Sequence, residues 1–135
     1  MDKPQRRLGG SELRDINSMT DEIIGAAIEV HRALGPGLLE SIYETALCIE
    51  LQDRGLKYAR QVCVSARYKG QTVGEYRVDL IVEDRVVVEV KCVANITPVF
   101  EAQLMAYLRL TGKRVGLLIN FNARLIKDDL RRKII

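Results

Sequence analysis

The stretch from Asp79 to Lys91 constrains this chain more than any other. It reads Asp-Leu-Ile-Val-Glu-Asp-Arg-Val-Val-Val-Glu-Val-Lys. Leu80-Ile81-Val82 and Val86-Val87-Val88 are short apolar runs on either side of a polar turn, the pattern of two buried strands in a hairpin. A carboxylate opens the first run, and a carboxylate and a lysine close the second. Removing an ion from water costs several kcal/mol unless it is paired. Asp79, Glu89 and Lys91 therefore need compensation, and a bound divalent cation would supply it.

Residues two apart on a strand share a face, so Glu89 and Lys91 point the same way. Asp79 joins them only in one register. A two-residue turn at Glu83-Asp84 would pair Asp79 with Val88 and turn it away from Glu89. A three-residue turn, Glu83-Asp84-Arg85, pairs Val82 with Val86 and Asp79 with Glu89, with Cβ atoms about 5 Å apart. The spacing predicts this odd-length turn, or a bulge with the same effect. Adjacent carboxylates raise one another's pKa, and a hard cation such as Mg²⁺, which takes oxygen ligands and keeps several waters, relieves that repulsion. A lysine beside it can hold an attacking water or balance charge on a phosphate. Such a set fits phosphodiester hydrolysis. The bland alternative is a surface hairpin with an ordinary ion pair.

The rest of the chain reads as a frame for this hairpin. Residues 1–17 are polar with Gly9-Gly10 and read as a flexible tail before one domain over 18–135. A helix is expected from Thr20, a capping residue, through Ile23, Ile24, Ala27, Ile28, His31 and Leu34 to Gly35-Pro36-Gly37. A second runs from about Leu38 to Arg54, with Leu39, Ile42, Tyr43, Ala46, Leu47 and Glu50 on one side and Gly55 at its end. Strands follow over 57–68, 71–82 and 85–93, the first two joined at Lys69-Gly70. Thr97 and Pro98 open a helix to about Leu110, and 114–121 is a further strand. Residues 125–135 are ambiguous. The order ααβββαβ predicts an α/β (α+β) fold with a mixed central β-sheet flanked by helices.

Composition narrows the function classes. At 135 residues, with 47% hydrophobic and 29% charged residues, the chain suits one globular domain. No apolar run approaches a membrane span of ~20 residues, and the N-terminus lacks the apolar core of a secretory signal. The expected location is the cytoplasm, with no membrane partner. A net charge of +3 is compatible with nucleic acid without demanding it. Cys48, Cys63 and Cys92 lack the spacing of a zinc site or disulfide framework and read as small core fillers. His31, the sole histidine, lies on an apolar helix face and reads as a packed, hydrogen-bonded residue rather than a general base.

Asp79 followed by Glu89-Val90-Lys91 after a hairpin resembles the core of the PD-(D/E)xK nucleases. Gln103 and Tyr107, four apart on one helix face, resemble the Gln-x-x-x-Tyr element of the exonuclease-type branch. Gly37-Leu38-Leu39-Glu40-Ser41-Ile42-Tyr43 is similar to the signature of the small bacterial GxxExxY proteins, as are residues 24–32 and 116–121. The resemblance covers roughly Ser18 to Lys133. Val78 stands where the superfamily's name has proline. The resemblance implies a restriction-endonuclease-like core and hydrolysis of nucleic acid, with DNA the first expectation. It implies Mg²⁺ or Mn²⁺ held by Asp79, Glu89 and the backbone carbonyl of Val90. Lys91 would be the catalytic lysine and Glu40 an additional acidic residue of the site and a further candidate ligand. Gln103 and Tyr107 would position Lys91 or the substrate strand. On residues alone, Glu40 is equally a glutamate placed at a helix N-terminus by the dipole, and Gln103 and Tyr107 a helix edge. The competing class is a catalytically silent module that binds nucleic acid or protein. So small a domain leaves a homodimer or a protein partner to help grip a duplex.

Overall fold

The computed structural model describes residues 6–135 and forms three layers. Helices α1 (Gly10–Leu34) and α2 (Glu40–Asp53) cover one face of a five-stranded sheet, and α3 (Pro98–Thr111) covers the other. The strands, β1 (Tyr58–Tyr68), β2 (Gln71–Val82), β3 (Val86–Lys91), β4 (Val115–Asn120) and β5 (Leu130–Ile134), lie in chain order across the sheet. Only β3 and β4 are parallel, because α3 carries the chain back between them. The remaining neighbours are antiparallel. β3 and β4 are sandwiched between the layers, which is why they read as unbroken apolar runs. Among the described residues no helix is long and apolar enough to cross a membrane.

Several sequence expectations need correction. The first helix begins at Gly10, not Thr20, so residues 10–17 are not a tail; residues 1–5 of that expected tail lie outside the described residues. Ile16, Thr20, Ile23, Ala27 and Val30 form one buried stripe at helical spacing. Thr20 caps nothing; its hydroxyl donates to the Asn17 carbonyl inside the helix. A polar residue at a core position hid the stripe. On α2 the buried residues are Tyr43, Glu44, Leu47, Cys48 and Leu51, whereas Leu39 and Ile42 are exposed. Cys48 is a core filler and Cys92 is half-buried, but Cys63 is exposed on β1, an outer strand. The ambiguous C-terminus forms a short 3-10 turn (Ile126–Asp128) and β5, which pairs with β4. Arg132 of β5 donates to the Asn17 side chain 2.7 Å away, tying the sheet edge to the start of α1.

His31 is buried as expected, its Nε2 donating to the Ala123 carbonyl at 2.9 Å. The Gly-x-x-Glu-x-x-Tyr stretch has a clear physical logic. Gly37 adopts φ +101°, open to glycine at little cost. One turn into α2, Tyr43 reaches back over that loop. Its hydroxyl donates to the Gly35 carbonyl and accepts from the Leu38 N–H, and its ring stacks on Phe121 at 4.8 Å. The loop is thereby fixed, and Glu40 becomes the first residue of α2.

The β1–β2 hairpin contains a swivel. Tyr58 and its neighbours Leu80 and Val82 pack on the α1/α2 side, whereas Val62, Val64 and Val78 pack on the α3 side. Strict alternation would keep these even-numbered positions on one face. The register is the same on both sides of the break, Arg60 with Leu80 and Val62 with Val78. Both strands therefore change face together at Gln61 and Asp79, without an inserted residue. Gln61 stands at φ +52°, a left-handed conformation that costs a non-glycine residue about 1–3 kcal/mol.

Helix α3 meets the sheet at Gly116. A Cβ added there would lie 2.7 Å from Leu104 Cδ1 and 3.0 Å from its Cγ. Leu104 is fully buried, so moving it aside would disturb its packed neighbours. Gly116→Ala is expected to destabilise the fold by about 1–3 kcal/mol through overpacking, measurable as a lower midpoint in urea denaturation.

Candidate active site and metal centre

The site lies where β2 and β3 part. Their ladder pairs Val82 with Val86, Ile81 with Val87 and Leu80 with Val88. This is the odd-length register that the spacing predicted. Glu83 and Asp84 take φ values of +52° and +55°, and the Arg85 N–H closes the turn on the Val82 carbonyl at 3.0 Å. Arg85 is the extra residue that sets the register.

One step beyond Leu80 and Val88, side chains take over from the ladder. The Asp79 N–H donates to Glu89 Oε2 at 3.3 Å, and the Val90 N–H donates to Asp79 Oδ2 at 2.9 Å. The two carboxyl groups thus exchange bonds with one another's strands and are held side by side. Glu89 is 3% exposed. Burial pushes its carboxyl up to about 9, with the Asp79 hydrogen bond and charge adding to the effect and Lys91 opposing it. Keeping the Glu89 carboxyl neutral relieves the repulsion that two adjacent carboxylates would otherwise suffer.

Lys91 ends β3 two residues after Glu89, on the same face. Its Nζ lies 5.0 Å from the centre of the Phe100 ring, a cation–π arrangement on the first turn of α3. Phe100, Gln103 and Tyr107 follow one side of α3 at helical spacing. Gln103 is half-buried, and Tyr107 is buried with its ring 5.6 Å from Tyr76 of β2. Burial, then the charges of Glu89 and Asp79, hold the Tyr107 hydroxyl up at about 12. That hydroxyl remains a proton donor throughout the physiological range.

Glu40 approaches from the other layer. Although exposed at the start of α2, its carboxyl is pushed above the ordinary range by desolvation and by the Asp79 charge, against Lys91 and the Cys92 N–H. The fold therefore brings Asp79, Glu89, Lys91, Tyr107 and Glu40 into one electrostatic neighbourhood, with Gln103 one turn from Tyr107.

Three side chains at this site escaped the sequence reading. Phe100 lies three residues before Gln103, a spacing that was available. Glu44 lies four residues after Glu40, again a helical signal, and is 6% exposed. Its carboxylate accepts from Arg60 Nε at 2.6 Å and from Gln61 Nε2 at 2.8 Å. Gln61 also reaches Asp79 Oδ1 at 3.4 Å. No local pattern marks Gln61, because its partners lie in α2 and β2.

Among the described residues no group of three or more His, Cys, Asp or Glu side chains is placed to hold a metal ion unaided. The donor set is a pair of touching carboxylates, one neutralised by burial beside the other. Two oxygen donors of this kind fit a hard divalent cation that takes oxygen ligands and retains waters. A family model described as the PD-(D/E)XK nuclease superfamily matches residues 17–133. The mixed five-stranded sheet between helices agrees with the restriction-endonuclease-like architecture of those proteins. No curated protein and no solved structure matches the chain.

Glu89 has a consequence for stability without metal. Its proton is retained in the fold up to about pH 9 but lost from the unfolded chain near 4.5. Across that window the folded state binds more protons, so stability falls as pH rises. In EDTA, the melting temperature should decline between these two pH values, and Glu89→Gln should flatten the decline. Equal slopes in the two proteins would show that Glu89 titrates normally.

Proposed function

Because the chain belongs to the PD-(D/E)XK nuclease superfamily, we propose that it is a metal-dependent nuclease hydrolysing phosphodiester bonds of DNA. The observation that carries this reading is the reciprocal bonding of Asp79 and Glu89 beside Lys91. Nucleases of this superfamily generally use divalent metals. Here Asp79, Glu89 and the Val90 carbonyl would hold Mg²⁺ or Mn²⁺, with Glu40 as a further acidic residue. The ion, when bound, supplies a Lewis acid and lowers the pKa of water.

The chain's own residues supply the remainder. Glu89, as a carboxylate, would be a ligand beside Asp79 and a hydrogen-bond acceptor for water near the phosphate. The Lys91 ammonium leaves the Phe100 ring and offsets charge developing on the phosphate. Tyr107, held protonated, donates towards the same centre, and Gln103 one turn earlier orients Lys91 or the strand. The Gly37, Glu40 and Tyr43 spacing supports placing the chain among GxxExxY proteins. We read it as one nuclease-like domain whose first helix extends upstream to Gly10, acting in the cytoplasm as a homodimer or with a protein partner.

A silent binding module is the second reading. It is favoured by Lys91, whose ammonium rests on Phe100 and forms no ion pair with a carboxylate among the described residues.

Purified protein incubated with single-stranded, duplex and branched DNA and RNA separates the two. With Mg²⁺ or Mn²⁺, DNA cleavage is expected. It should vanish in EDTA and fall by about 10²- to 10³-fold or more in Lys91→Ala, which removes charge stabilisation. Glu89→Ala should be equally inactive. Binding without cleavage, unchanged in both variants, would establish the module instead.

A further inference from the structure

The geometry points to Gln61 as a positioning residue for the Asp79 carboxylate, anchored on the buried Glu44 of α2. Its consequence for metal binding rests on the nuclease reading above.

The Gln61 amide nitrogen carries two hydrogens and faces two carboxylates. One bond goes to Glu44 Oε1 at 2.8 Å and a longer one to Asp79 Oδ1 at 3.4 Å. Glu44 cannot drift. It is 6% exposed, and its second oxygen is held by Arg60 Nε at 2.6 Å, while the same guanidinium bonds Thr45 at 2.7 Å. Glu44 is thus a fixed post, and Gln61 the arm between it and Asp79.

With Gln61 on Oδ1 and the Val90 N–H on Oδ2, each Asp79 oxygen has one directed donor. Each oxygen still has capacity for a further partner. The carboxylate plane is fixed without being saturated, the condition of a prepared metal ligand. The backbone supports the assignment. Gln61 holds φ +52° at the swivel where both strands change face. A glycine would adopt that conformation with less strain, so the glutamine side chain is present against the local backbone preference. Strain of this kind persists where surrounding contacts over-determine it.

This predicts that stability and ligand placement separate. Gln61→Gly relieves the backbone and removes the amide. Gln61→Met keeps the length and backbone strain but removes the donor. Three readouts apply: melting temperature, protection of the Val90 amide by NMR hydrogen exchange without metal, and Mn²⁺ affinity by calorimetry. Both variants lose the bond to Glu44, but Gln61→Gly, freed of the backbone strain, should melt no lower than Gln61→Met, and both should lose protection at Val90. Both should also bind Mn²⁺ about 10- to 100-fold more weakly, the usual cost of losing a residue that orients a ligand. Val90 protection equal to the parent's in both variants overturns the assignment. So does Mn²⁺ affinity within about twofold of the parent in both, against that expected loss. If the parent binds no more Mn²⁺ than Asp79→Ala, the metal reading fails by itself, and Val90 protection still decides the role of Gln61.

Discussion

Two carboxyl groups, Asp79 and Glu89, are forced together at the point where two strands separate, and much of the molecule can be understood as what makes this tolerable. Each accepts a hydrogen bond from the other's strand, so the side chains do the work of the ladder that ends at Leu80 and Val88. Burial keeps Glu89 protonated, which removes most of the repulsion while no cation is present. The arrangement is stable enough to fold and electrostatically unfinished.

The two helical layers serve this hairpin differently. From one side, α2 sends Glu40 towards the carboxylates and, through Glu44 and Gln61, grips Asp79 from behind. Tyr43 fixes the loop that starts α2, so Glu40 begins the helix at a defined place. From the other side, α3 presents Phe100 to Lys91 and the buried Tyr107 to the carboxyl pair. The swivel at Gln61 and Asp79 lies between these layers. It lets β1 and β2 serve the α1/α2 core at one end and the α3 core at the other.

Much of the frame was legible from local pattern. The period change after Gly55, the tight turn at Lys69-Gly70 and Pro98 at the first position of α3 all appear where residue types demand them. Less legible were elements whose signals depend on distant partners. Residues 10–17 of α1 read as a polar tail, since Thr20 occupies a core position and Asn17 faces Arg132 across the molecule. Strand β5 is charged and half-exposed, and it forms because β4 offers it an edge. Cys63 was misplaced for a related reason: β1 lies at the sheet edge, so its outer face meets solvent.

For the site the division is sharper. Residues 79–91 carry their own register, because apolar runs of fixed length around a polar turn leave only one pairing that puts both carboxylates on the lysine's face. That information is local, and the chain states it openly. Glu44 and Gln61 belong to another category. Gln61 meets Glu44 seventeen positions away and Asp79 eighteen positions away, separations that no helical or strand period encodes. Phe100 meets Lys91 only because α3 folds back over the sheet. Periodicity specifies which residues share a face; packing of the layers specifies which faces meet. The surroundings that hold Asp79 and shift Glu89 arise from the second.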